Sequence, residues 1–157
     1  MADLVEFREF RDDDACALIA NMRSIDVLEW TAMIGIEPRC EVMADMARKS
    51  TNVRVFTLNG EVTAIYGVQS KTILGTDGLP WLLGTNLLDT KAGRIVLLRH
   101  SVEQAAVIFK GFSELWNFIS VENRIAIRWL KFLGFEVHHH IPQELNGVTF
   151  IPFTMRV

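Results

Sequence analysis

From Leu4 to Phe10 apolar and polar residues alternate, the period of a strand with one face buried. At Asp12 the period lengthens. Ala15, Leu18 and Ile19 recur at helical spacing behind Asp12, Asp13 and Asp14, whose charges suit the positive end of a helix dipole, so a helix is expected over Asp12–Met22. A second helix is expected from Ser24, whose hydroxyl can cap it, to Gly35, with Val27, Trp30 and Ile34 on one face. Pro38 suits the first position of a third helical piece running through Met43 and Met46 to Lys49.

From Asn52 the period falls to two. The runs VRVFTL and VTAIYGV flank Asn59-Gly60, a dipeptide that favours a tight hairpin turn. A turn at Gly75-Thr76-Asp77-Gly78 leads into a strand over Pro80–Thr85; Lys91–Phe109 reads as a long helix and Glu114–Ser120 as a buried strand. In the stretch VENRIAIRWLKFLGFEV, Ile125, Trp129, Phe132 and Leu133 share one helical face and Arg124, Arg128 and Lys131 another. Asn123 is placed to cap that helix and Gly134 to end it in the left-handed conformation. Strands near Phe135–His140 and Thr149–Val157 close the chain. This order predicts an α/β protein, a mixed central sheet flanked by helices, in one domain over residues 1–157.

Composition narrows the function classes. A net charge of -3 gives no global attraction to nucleic acid or anionic lipid. No apolar run approaches the roughly 18 residues of a membrane span, and the acidic, alternating N-terminus is unlike a signal peptide. Cys16 and Cys40 have no metal-ligand spacing and read as two separate thiols in a reducing compartment. Of His138, His139 and His140 only the outer two share a strand face, and no third ligand is identifiable, so no metal is expected.

The late pattern Asn123, Ala126, Ile127, Leu130, Gly134 and Phe135 resembles the N-x-x-A-I-x-x-L-x-x-x-G-F motif of the GNAT N-acetyltransferase superfamily, and the order of elements resembles that fold. Within it, MRSIDVLEWTAMIG, GLPWLLGTN, LWNFISVEN and IRWLKFLGF resemble a phage and prophage family that includes the internal virion protein A of short-tailed coliphages. The superfamily resemblance implies acetyl-CoA lying between two splayed parallel strands, here Trp81–Thr85 and Leu115–Ser120, and an amine acceptor on a host protein or small molecule. The phage resemblance implies the host cytoplasm or the virion as location. An oligomer is left open, and no nucleic-acid or membrane partner is expected.

The resemblance also assigns residues. Leu82, Leu83, Gly84 and Thr85 would line the acyl site with backbone groups. Lys91, Ala92, Gly93 and Arg94 would cradle the pyrophosphate at a helix N-terminus, where free N–H groups and the dipole favour anions, although the family's Gly-rich loop is absent. Asn123 would bond the pantetheine arm or simply cap its helix, and Arg124 would meet a coenzyme phosphate or face solvent. Glu122 and Glu29 are the candidate general bases, although an ordinary solvated carboxylate is the favoured account of each, since most Glu residues are exposed. Leu130 stands where many members carry the Tyr acid, a departure that favours the alternative of an inactive GNAT-fold phage protein serving virion assembly or host-factor binding.

Overall fold

The alternation in Thr51–Leu58 and Glu61–Ser70 puts successive side chains on opposite faces of a sheet, and each face acquires its own helices. The computed structural model describes residues 2–157. In chain order the elements are β1 (Val5–Glu9), α1 (Asp12–Ala20), α2 (Ser24–Ile34), α3 (Cys40–Lys49), β2 (Thr51–Leu58), β3 (Glu61–Ser70) and β4 (Asp77–Gly84). After a 3-10 turn at Asn86–Asp89 follow α4 (Lys91–Ile108), β5 (Glu114–Ser120), α5 (Arg124–Leu133), β6 (Glu136–Val137), β7 (Gln143–Leu145) and β8 (Val148–Arg156). The sheet order is β1-β2-β3-β4-β5-β8-β6, with β7 paired on β8.

Ala64, Tyr66 and Val68 of β3 point to the face covered by α4 and α5, where they join Val96, Ile108, Ile127 and Leu130. Ile65 points to the other face, with Leu18 of α1, Trp30 of α2 and Met43 of α3. Every neighbouring strand pair is antiparallel except β4 with β5, which run parallel. That pair is in register only at Asp77–Glu114 and Gly78–Leu115. Beyond Gly78 the two strands part.

The helix-ending chemistry of the late motif is as expected. Asn123 Oδ1 accepts from Ala126 N, and Gly134 sits at φ 102, a conformation an L-residue adopts only at a cost. Asn59-Gly60 makes the β2–β3 turn with both residues at positive φ.

Four local expectations need correction. α3 begins at Cys40, not Pro38, because Arg39 is still extended at φ −134. Ser24 is the first residue of α2 and Arg23 holds the cap position, with no side-chain cap. The strand expected over Phe135–His140 is cut to Glu136–Val137, and a second Asn-Gly turn, Asn146-Gly147, folds β7 onto β8. Cys16 and Cys40 are not separate thiols: packing of α1 beside α3 joins them as a disulfide, with Cα atoms 4.8 Å apart.

Candidate functional site

Two strands that begin paired and then diverge leave backbone groups with no ladder partner. Thr85 N donates to Thr63 O, so odd-numbered residues of β4 bond toward β3, and alternation turns Leu82 N–H and C=O into the gap. On β5, Val121 N donates to Thr149 O and Val157 N to Ser113 O, so the even-numbered residues face the gap. Asn117 closes its narrow end. Its Nδ2 donates to Pro80 O at 3.0 Å on β4, while its Oδ1 accepts from Phe118 N at 2.8 Å on β5.

A cavity of about 400 Å³ runs through this opening from one face of the sheet to the other. Its lining is overwhelmingly apolar, and its titratable groups are Glu29, Tyr66 and His100. The Tyr66 hydroxyl donates to Gln104 at 2.6 Å, and burial raises its pKa above the ordinary phenol range. Leu130, at the usual Tyr position, forms part of the cavity wall.

Glu29 is the charged group most perturbed here. It is half-buried on α2, and one oxygen, Oε1, accepts from Ser120 N at 3.2 Å and Asn123 Nδ2 at 3.0 Å. Burial pushes its carboxyl up to about 7, with the Asp26 charge adding to the rise and the hydrogen bonds from Asn123 and Ser120 opposing it. A carboxyl that titrates near neutrality inside a cavity can accept a proton at working pH. Glu122 differs: it is exposed and lies outside the cavity lining.

The structure places the remaining residues expected to bind the cofactor in several settings. Leu82 and Leu83 line the cavity. Gly84 and Thr85 are already engaged: Gly84 N donates to Asp26 Oδ2 at 2.8 Å, Gly84 O accepts from Arg23 N at 2.9 Å, and Thr85 N is in the ladder. Asn123 caps α5 and also reaches Glu29, a dual role that neither neighbour in sequence announces. Arg124 is exposed at the start of α5.

At the start of α4 one helix-end donor is already engaged. Thr90 Oγ1 accepts from Gly93 N at 3.1 Å, which occupies one of the free N–H groups of the helix end. A Cβ on Gly93 would lie 2.2 Å from Leu87 O, so the glycine lets α4 pack on the preceding 3-10 turn. Lys91 and Arg94 are exposed beside it, Ala92 packs inward against the core, and Asp89 lies 3.8 Å from Arg94.

Sequence reasoning missed two features of the site. Arg23 and Asp26 form a buried, two-pronged ion pair at 2.9 and 3.1 Å that fastens the start of α2 to the end of β4. The signal was present as an Arg and an Asp three residues apart at a helix start. Asn117 carried no signal, because its two partners are defined only by the parting of the strands. Among the described residues no cluster of three or more His, Cys, Asp or Glu gathers as for a metal, and His138 Nε2 instead pairs with Thr154 Oγ1 at 2.7 Å. Nor is any helix among them long and apolar enough to cross a membrane.

No protein-family profile matches the chain, and no curated protein matches it. Solved structures do match over almost the whole length. The acetyltransferase of the GNAT family from Streptococcus pneumoniae is 14% identical, with a TM-score of 0.64 over 98% of this chain and 100% of that one. The ribosomal-protein-S18-alanine N-acetyltransferase from Escherichia coli is 16% identical, with a TM-score of 0.65 over 98% and 94%. YncA from Salmonella typhimurium, a candidate acetyltransferase solved with its cofactor acetyl-CoA, is 16% identical, with a TM-score of 0.66 over 97% and 93%. The chain therefore has the GNAT acetyltransferase fold, a mixed sheet flanked by helices. Nothing in these comparisons bears on the resemblance to phage virion proteins.

Proposed function

We propose that this protein is an acyl-CoA-dependent N-acyltransferase that moves an acetyl group from acetyl-CoA to an amine. The observation that carries this reading is the divergence of β4 and β5 beyond Gly78 into an apolar cavity bordered by Glu29. Acetyl-CoA supplies an activated acyl thioester, and its transfer leaves an amide, a free thiol and one proton.

The residues divide the work. Leu82 N–H, directed into the gap, is the donor available to a thioester oxygen, and its C=O is available to the amide of an extended arm pairing at the strand edge. Glu29 accepts a proton from the ammonium of the acceptor, leaving a neutral, nucleophilic amine. Lys91, Arg94 and the first N–H groups of α4 are the cations and donors nearest to hand for phosphates, and Arg124 is a further cation at the start of α5. The departing thiolate takes up a proton from solvent or from Tyr66, which lines the same cavity, and becomes the free thiol. Positioning supplies much of the acceleration for such a reaction, so the absence of a Tyr at Leu130 leaves transfer feasible.

The test is a thermal shift with acetyl-CoA followed by assay of free thiol. Binding to the folded state alone raises Tm by mass action. The expected result is a rise that shrinks in a Lys91→Glu/Arg94→Glu variant; no rise at millimolar acetyl-CoA overturns the reading. Gly93 is unsuited to this test, because any side chain there meets Leu87 O first.

A second reading is favoured by Leu130 and by the packed helix start: a GNAT-fold phage protein of the host cytoplasm or virion that binds a host factor or serves assembly without transfer. It predicts binding without release of thiol from acetyl-CoA in the presence of any amine.

A further inference from the structure

The parted strands divide the cavity into two halves with different walls. On the α4 and α5 side it is lined by Leu97, Ala105, Ala126 and Leu130. On the opposite side its walls are Trp30 and Met33 from α2, Met46 from α3, Trp81 and Leu83 from β4, and Phe118 from β5. The Trp81 ring is fixed there, since Nε1 donates to Ser50 Oγ at 2.9 Å and that hydroxyl donates to Met46 O at 2.9 Å. Trp30 is 4% exposed, and its indole N–H has no partner.

One carboxylate stands in this apolar surround. Glu29 Oε1 is held by Ser120 N and Asn123 Nδ2, whereas Oε2 accepts no hydrogen bond among the described residues. A carboxylate oxygen left free in a cavity also lined by Trp30, Trp81 and Phe118 suits an ammonium: the charge meets the oxygen, and aromatic rings attract cations. Among side chains, the rest of this wall adds only Gln69 and the Trp30 indole N–H as polar groups, and the backbone groups of Leu82 in the gap are those assigned above to the thioester arm. Hydroxyls, amides or further charges on a guest would be buried unpaired there, at a cost that rejects them.

We propose that the α2 and α3 half of the cavity binds the acceptor, and that this acceptor is a small primary amine on an apolar aryl or alkyl body. The inference rests on the transferase reading for the word acceptor, but the binding chemistry stands on these side chains. The total volume, about 400 Å³, is shared with the thioester arm, which limits the guest to a body of roughly one ring or a short chain.

The experiment titrates the purified full chain calorimetrically at pH 8 with 2-phenylethylamine, 2-phenylethanol and glucosamine, separately from acetyl-CoA. The expected result is an affinity for 2-phenylethylamine at least about tenfold above either other probe. In Glu29→Gln the amine should fall to the level of the alcohol, while the alcohol itself is bound as before. Equal binding of glucosamine, absence of 2-phenylethylamine binding, or an amine preference that survives in Glu29→Gln would each overturn the inference. The two failures separate cleanly. Selective amine binding without an acetyl-CoA shift sinks the transferase reading and leaves an amine site; an acetyl-CoA shift without amine selectivity sinks the acceptor class alone.

Discussion

Glu29 is the residue on which stability and chemistry pull in opposite directions. Burial raises its carboxyl to about 7, so the fold favours the protonated form. The stabilising contribution of that proton is complete below the ordinary carboxylate range and is lost as pH rises through 7. The charges acting on it, Asp26 and Arg23, belong to its own helix; β5 and the α5 cap present only neutral donors. Glu29→Gln removes the cost of burying the anion, on the order of 1–2 kcal/mol after allowing for partial exposure. Its Tm should exceed that of the parent by roughly 3–6 °C at pH 8.5, and the gap should close as the pH falls below the ordinary carboxylate range, as scanning calorimetry will read. In the same variant the rise of kcat/KM through pH 7 should disappear, because a glutamine has no proton to accept. An acetylation rate with an unchanged pH profile would remove Glu29 as the base.

At the scale of elements, Gly93 decides how α4 begins. Gly93→Ala places a methyl 2.2 Å from Leu87 O, a backbone atom that cannot rotate away. A loss of about 1–3 kcal/mol is expected, seen as a lower urea midpoint with unchanged slope. This position also shows where the sequence could and could not be read. Asn123, Gly134 and the Asn59-Gly60 hairpin were legible because a cap or a tight turn is satisfied within a few residues. The packing of Gly93 on the 3-10 turn at Asn86–Asp89 was not legible, because that turn left no periodic trace. Glu29 was legible as a candidate but not as a buried one: its hydrogen-bond partners lie 91 and 94 residues further along. Asn146-Gly147 carried the same turn signal as Asn59-Gly60 and was passed over because β7 has only three residues.

Across the whole molecule, the order of elements was enough to define the fold, since each helix between strands has to cover one face of the sheet. Depth between strands was not legible, because a parted pair and a joined pair show the same alternation. The Cys16–Cys40 link ties α1 to α3 on the α2 face across a separation of 24 residues. Closing a loop of that length contributes about 3 kcal/mol in the chain-entropy account, so dithiothreitol should lower the Tm of the oxidised protein by roughly 6–12 °C. A Cys16→Ala/Cys40→Ala variant should be indifferent to the reductant. The two ends of α2 are secured very unequally. Its start is pinned to Gly84 by the Arg23–Asp26 pair, whose disruption would strand a buried charge, whereas near its far end Ala32 O accepts one hydrogen bond from Asn146 Nδ2 at 2.8 Å. Met33 and Ile34, half-exposed on that loosely held end, border the cavity. Past Glu29, itself tied to Ser120 and Asn123, the last turn of α2 is thus the least fastened stretch of the cavity rim, with one amide from outside the helix to hold it.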